Sequence, residues 1–276
     1  MDTSIAISGI DDDPYLKNHL KICPDAIQAK IDSFAKAPGT IVDFGCGHGI
    51  KTIAMALRYP DAQVIGFDIT DAHRRAQDFC KNRLEGGMPK NLRFQTVEPG
   101  TPLSQICQPD VIYSWSVLEH VSRKLLPAVL TDMFDALRPD GAVITQIAPL
   151  YFSPFGSHLK EFSDIKWIHL LESHEELRNR IYASPKSQGA TGSAKWMFSR
   201  YEDLNRITAE ELSQYFQAAG FSALSDERKT FDGDVPAPLL ATYAEPSLRT
   251  FELNFVHGKS PLPQKRGLWP GRGAAR

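Results

Sequence analysis

The chain has 276 residues, of which 42% are hydrophobic and 23% charged, and its 31 Lys and Arg face 33 Asp and Glu for a formal charge of −2. That balance excludes extended disorder and speaks against a dedicated nucleic-acid binder, which carries a clear basic excess. No apolar run reaches the roughly 18–20 residues that span a bilayer, and the first residues lack a secretory signal's basic and apolar regions. The four cysteines (Cys23, Cys46, Cys80, Cys107) form no C-x-x-C pair. A reduced, cytoplasmic, globular protein without a structural zinc or disulfide framework is therefore expected.

The first 35 residues read as a helical segment, with Pro24 in a first turn and Ile27, Ile31 and Phe34 on one apolar face. Thr40–Phe44 is a short β-rich run that ends in glycines and leads into a helix at Ile50–Tyr59. Gln63–Asp68 is a second strand, followed by a polar helical segment from Asp71 to Glu85. Asn91–Val97 and Val111–Trp115 are strands, Lys124–Leu137 a helix, and Ala142–Ala148 a strand again. Strands alternating with helices of this length mean βαβ units and a parallel sheet, here a doubly wound α/β core over residues 36–148.

Residues 149–207 break the rhythm and read as a cap inserted after the fifth strand, over the carboxyl edge of the sheet. Within it, Tyr151, Phe152, Phe155, Trp167 and Trp196 are expected to shield a reaction centre, and the polar Ser184–Ser193 stretch to form a loose loop. Residues 208–257 return to the core: Thr208 caps a helix that ends at Gly220, and strands follow over Phe221–Phe231 and 250–257. Residues 258–276 hold five basic and no acidic side chains and read as a flexible tail.

The segment Val42-Asp43-Phe44-Gly45-Cys46-Gly47-His48-Gly49 leaves a strand and enters a helix, which is where an open parallel sheet binds ligands. Glycine lets the backbone approach a ligand closely. Asp43 is a charge just inside the strand end, where it needs a cationic or hydrogen-bonding partner. Asp68 ends the next strand, where an acid can hold a ribose diol. Position 50 is Ile, so G-x-G-x-x-G is not completed, and Asp43 would repel a pyrophosphate. A ligand carrying both an ammonium group and a ribose fits better than a dinucleotide.

VDFGCGHG, then GFDIT, then PDVIYSWSVLEHV, then LRPDG together resemble the class I, Rossmann-like S-adenosylmethionine-dependent methyltransferases, including bacterial small-molecule and sugar methyltransferases. The resemblance implies a seven-stranded, mostly parallel sheet with the last strand antiparallel, and S-adenosylmethionine as cofactor. It sets Asp43 near the methionine amino group, with Gly45, Cys46 and Gly47 lining that pocket. Asp68 would accept from the ribose hydroxyls and Ile69 pack on the adenine. Glu98 stands where the family often has a shorter Asp against the adenine amino group. Ser114 and Trp115 would face the cofactor and the acceptor side.

Methyl transfer to oxygen or nitrogen needs alignment and a base, a role that suits histidine near neutral pH. His158, His169 and His120 of the Leu-Glu-His-Val turn are the catalytic candidates. A divalent-metal reading (His158 and Glu161 with His169 or His174) and a purely structural reading of the same histidines remain open. The expected acceptor is a small molecule, with sugars and natural products as the candidate classes, and neither nucleic acid nor membrane as partner. The alternatives are a cofactor-binding regulator without chemistry and an NAD-dependent oxidoreductase. The sequence leaves the oligomeric state open.

Overall fold

The computed structural model describes residues 12–34, 37–84, 87–188 and 193–259. The expected basic tail, apart from its first two residues, and the middle of the Ser184–Ser193 stretch lie outside these segments. Asp13 accepts from the Tyr15 and Leu16 amides and starts α1 (Pro14–Lys17), with Pro14 at a position where its missing N–H costs nothing. A π-turn over Asn18–Ile22 leads directly into α2 (Cys23–Phe34). Pro24 is therefore inside a continuous helical rod rather than opening one, a correction to the sequence reading. Its ring supplies no N–H for the Leu20 carbonyl, and the Arg58 guanidinium donates to that oxygen instead, at 3.0 Å. The missing donor accounts for the wide turn.

The rod precedes β1 (Thr40–Phe44), α3 (Ile50–Arg58), β2 (Gln63–Asp68), α4 (Arg74–Arg83), β3 (Leu92–Thr96) and β4 (Val111–Trp115). Next come α5 (Leu126–Ala136), β5 (Ala142–Ile147), α6 (Ile168–Leu171), α7 (His174–Ala183) and α8 (Ala194–Glu202). The chain closes with α9 (Ala209–Ala218), β6 (Ser222–Thr230), α10 (Ala237–Leu240), α11 (Glu245–Arg249) and β7 (Thr250–Gly258). The strand order is β3-β2-β1-β4-β5-β7-β6, with β7 antiparallel to both its neighbours and every other pairing parallel. The expected seven-stranded architecture is thus present. The order reverses at β1 and β4, so their carboxyl ends splay apart into a crevice.

Each face of the sheet carries its own core. Ile27, Ile31, Ile53, Met55 and Tyr113 pack on the face covered by α2 and α3, while Val42, Leu130, Met133, Leu212 and Phe216 pack on the face of α5 and α9. Thr208 and Glu211 form a reciprocal capping box at the start of α9, as Ser173 and Glu176 do for α7.

The chain between β5 and α9 builds a smaller core of Leu159, Phe162, Leu177, Ile181, Phe198 and Tyr201. Of the aromatics expected to shield a reaction centre, Trp167 is only 1% exposed and packs with Leu239 and Leu248, while Trp196 is 55% exposed on α8. Neither has the role that the sequence suggested. The start of the Ser184–Ser193 stretch is a 3-10 turn at Pro185–Gln188 rather than an open loop.

One side chain ties this segment to the sheet. Asn205 Nδ2 donates to the Leu118 and Val121 carbonyls at 2.6 and 2.8 Å, and its Oδ1 accepts from the Ile207 amide at 3.0 Å. Asn205→Ala should cost about 2–4 kcal/mol, because it leaves buried carbonyls without donors. Urea unfolding will measure this, and a loss below about 0.5 kcal/mol would show that water replaces the amide.

Candidate active site at the carboxyl ends of β1, β2 and β4

The glycine loop forms the floor of the crevice. Gly45 has φ +79°, and a Cβ there would meet Val117 at 2.4 Å, so its bareness serves packing. Gly47 has φ +52° and a Cβ would meet nothing within 4 Å, so this backbone borders open space. Cys46 lends its backbone to the loop, but its side chain is buried toward Gly66. Its thiol is pushed far up by burial and by the charges of Asp43 and Asp68, which leaves it inert.

Asp68 braces the loop. Its carboxylate accepts from the Gly47 amide and from the amide and hydroxyl of Thr70, each at 2.8 Å. A carboxylate has about four lone-pair sites, so one remains for a ligand. Ile69 beside it is 59% exposed, an apolar surface standing open at the strand end. Glu98 is exposed after β3, in the turn closed by the Thr101 amide and the Glu98 carbonyl.

Asp43 is 1% exposed. Its Oδ2 accepts from the Thr52 hydroxyl at 2.7 Å, while Oδ1 has no partner. Burial raises its pKa against the pull of the Lys51 ammonium and the Thr52 hydroxyl. Lys51 holds its Nζ 3.2 Å from the Trp115 carbonyl. Ser114 is fully buried, with its hydroxyl unpartnered. Tyr15 of α1 reaches over the loop to His48 Nδ1 at 3.2 Å, and Arg75 of α4 meets Nε2 of the same ring at 3.2 Å.

Glu119 escaped the sequence reading as a site residue. It is 4% exposed in the turn after β4, and neither carboxyl oxygen has a partner. Burial pushes its pKa up to about 8, with the Lys51 ammonium pulling the other way.

The histidines take different positions. The rings of His120 and His158 meet edge-to-face at 5.8 Å. His158 has φ +61° and donates from Nε2 to the Pro149 carbonyl at 2.9 Å, so the proton is on Nε2 and Nδ1 keeps its lone pair. Burial lowers its pKa, which keeps the ring neutral. His120 is lowered to about 4 by desolvation and by the nearby His158 and Arg200. His169 is 6% exposed and donates to the Tyr151 carbonyl at 2.5 Å; burial lowers it to about 4.

The metal grouping considered from the sequence does not assemble: His174 pairs with Glu202, and His158 and His169 bond to separate carbonyls. Among the described residues no three His, Cys, Asp or Glu converge on one point. Arg206, at φ +58°, lays its guanidinium 5.1 Å from the Tyr151 ring. Ser116, His158, Trp167 and Arg206 all adopt left-handed backbone. Such strain costs about 1–3 kcal/mol per residue and gathers at functional sites.

A family model described as a methyltransferase domain matches residues 19–226. Trans-aconitate 2-methyltransferase of Methylobacterium radiotolerans is 31% identical over 112 residues, covering 41% of this chain and 39% of that protein. A tRNA1(Val) (adenine(37)-N6)-methyltransferase of Vibrio cholerae is 26% identical over 136 residues, 44% of this chain and 56% of that one. The chain thus spans less than two thirds of the length of these curated relatives. A solved protein from Galdieria sulphuraria, assigned as a sarcosine dimethylglycine methyltransferase, superposes with TM-score 0.56 at 10% identity over 92% of this chain and 91% of that one, a likeness of fold alone. Among the described residues no helix is long and apolar enough to cross a membrane.

The raised pKa of Glu119 sets a stability trend. Folded protein holds a proton that unfolded chain releases between about pH 4.5 and pH 8, so this group's contribution falls as pH rises through that window. Glu119→Gln should therefore melt several degrees above the parent at about pH 8 and level with it near pH 5. A constant difference across scanning-calorimetry traces at both pH values would contradict the assignment.

Proposed function

The chain belongs to the methyltransferase-domain family, with S-adenosylmethionine as its cofactor, and from that premise we propose that it methylates an oxygen or nitrogen of a small molecule held between the β1–β4 crevice and residues 149–207. The observation that supports the cofactor assignment is the buried Asp43 carboxyl, whose Oδ1 has no hydrogen-bond partner, at the end of the strand that runs into the open Gly47 backbone. The dinucleotide alternative does not suit that oxygen.

The residues fit the cofactor. Asp43 Oδ1 takes the ammonium group, the backbone of Gly45, Cys46 and Gly47 lines the methionine moiety, and Asp68 offers its remaining lone pair to the ribose. Ile69 supplies an apolar face for the adenine, Glu98 an acceptor for its amino group, and Ser114, at the end of β4, a hydroxyl on the cofactor side. Bound there, S-adenosylmethionine supplies an electrophilic methyl group on a sulfonium.

The chain's own residues do the rest. His158, neutral and with Nδ1 free, receives the proton that the acceptor loses as its lone pair bonds to carbon. His120, at the mouth, faces the same ring, while His169 holds the Tyr151 carbonyl and orients that wall. Arg206 on Tyr151 suits an anionic acceptor, in keeping with the name of the trans-aconitate relative. The overall charge of −2 favours a small acceptor over a polyanionic nucleic acid.

Three measurements test this reading. S-adenosylhomocysteine should raise the melting temperature and NAD should not, since only a ligand of the native state stabilises it; the reverse ranking would overturn the cofactor. Asp68→Ala should weaken S-adenosylmethionine binding by about 1.5–3 kcal/mol, partly through release of the Gly47 loop. His158→Ala should lower turnover by about 100-fold with cofactor affinity kept, and unchanged turnover would remove it as base.

A further inference from the structure

The reaction just described leaves the Glu119 carboxyl unused. Its backbone cannot carry it out to water: the Asn205 amide donates to the Glu119 carbonyl at 2.9 Å, and Asn205 Nδ2 holds the carbonyls of Leu118 and Val121. Asp43 is the second buried carboxyl at these strand ends, and among the described residues the Lys51 ammonium acts on both. Lys51 forms its hydrogen bond to the Trp115 carbonyl rather than to either carboxyl group.

Among the described residues, the charge that pulls on the Glu119 carboxyl is the Lys51 ammonium. His19 in the π-turn and Cys23 in α2 are coupled to the same lysine. His120, on the same turn as Glu119, is coupled to His158, Arg200 and Asp203 instead. The Asp68 charge is met by three donors of its own.

The charges can be counted. With both buried carboxyl groups ionised and the half-buried Lys51 protonated, the three groups carry one net negative charge. S-adenosylmethionine, with ammonium, sulfonium and carboxylate, brings one net positive charge and neutralises it. S-adenosylhomocysteine lacks the sulfonium and brings none. An uncompensated buried charge is removed by protonation. The proton settles on the carboxyl with fewer donors: no side chain donates to Glu119, whereas the Thr52 hydroxyl donates to Asp43 and the Tyr113 hydroxyl faces it.

We propose that Glu119 is the proton-linked counter-charge to the sulfonium: protonated while the pocket is empty or holds S-adenosylhomocysteine, and ionised when S-adenosylmethionine is bound. The inference rests on the reading that this crevice takes S-adenosylmethionine. It makes the pocket distinguish substrate from product by charge. Loss of the sulfonium lets Glu119 take back the proton that it gave up on binding, while the acceptor's own proton passes to His158 and from there to solvent, so that one proton is released per turnover.

Calorimetry of the full chain near pH 7, repeated in buffers of different ionisation enthalpy, reads proton release directly. S-adenosylmethionine binding should release most of one proton, and S-adenosylhomocysteine binding little. S-adenosylmethionine affinity should rise by up to about tenfold per pH unit below the free-state pKa of about 8 and level off above it, while S-adenosylhomocysteine affinity stays flat. Glu119→Gln should abolish both the release and the slope. Equal release by the two ligands, or release that survives in Glu119→Gln, would overturn this inference and leave the cofactor assignment standing. Failure of either ligand to bind would overturn the cofactor assignment itself, and the inference with it. The comparison of ligands on the parent chain decides the matter even if the variant does not fold.

Discussion

A carboxyl group placed inside a protein without a full set of hydrogen-bond partners is among the most costly features a fold can retain, and this fold retains two at the end of its central strands. Asp43 stands in β1 with one oxygen on the Thr52 hydroxyl and the other on nothing, and Glu119 follows β4 with neither oxygen partnered. Each is worth about 1–3 kcal/mol or more of unmet hydrogen bonding in the empty protein. The surrounding structure holds them there by rigid means: parallel pairing of Asp43 between Gly66 and Tyr113, and the Asn205 clamp under Glu119. A cationic ligand at the crevice converts that penalty into binding energy.

The topology explains why this happens at β1 and β4 and nowhere else in the sheet. Crossovers run one way to β2 and β3 and the other way to β4 and β5, so only between β1 and β4 do the connecting loops diverge. The glycine loop fills one side, the Leu118–Val121 turn the other. The first is fixed by Asp68 from the neighbouring strand, the second by Asn205 from beyond residue 200. Side chains from the chain between β5 and α9 then close in as neutral histidines and stacked aromatic rings, a surrounding of low polarity in which fixed charges act strongly.

Much of this was legible in the sequence, for a definable reason. β1, β2, β4 and β5 are runs of apolar residues buried on both faces, and such runs between amphipathic helices announce a parallel sheet. Asp43, Gly47 and Asp68 were visible because each is an exception to its local pattern. What escaped depends on long-range partners. The helical rod begins ten residues before Pro24 because Arg58 replaces the missing donor, which no local rule contains. The two short helices α10 and α11 exist to pack Leu239 and Leu248 on Trp167, a contact set by residues some 70 to 80 positions apart. Glu119 follows an apolar strand in a short turn, and nothing local marks its burial; the Asn205 side chain that holds this turn in place binds the Leu118 carbonyl from 87 residues away.

The central claim is that one crevice, between the glycine loop and the turn after β4, holds S-adenosylmethionine with its positive end at the buried carboxyls. A crystal structure of the chain with S-adenosylhomocysteine tests it most directly. The ligand's amino group is predicted within hydrogen-bond distance of Asp43 Oδ1, its ribose at Asp68, and its adenine on Ile69. Ligand density at any other place on the sheet, or an amino group turned away from Asp43, would contradict it.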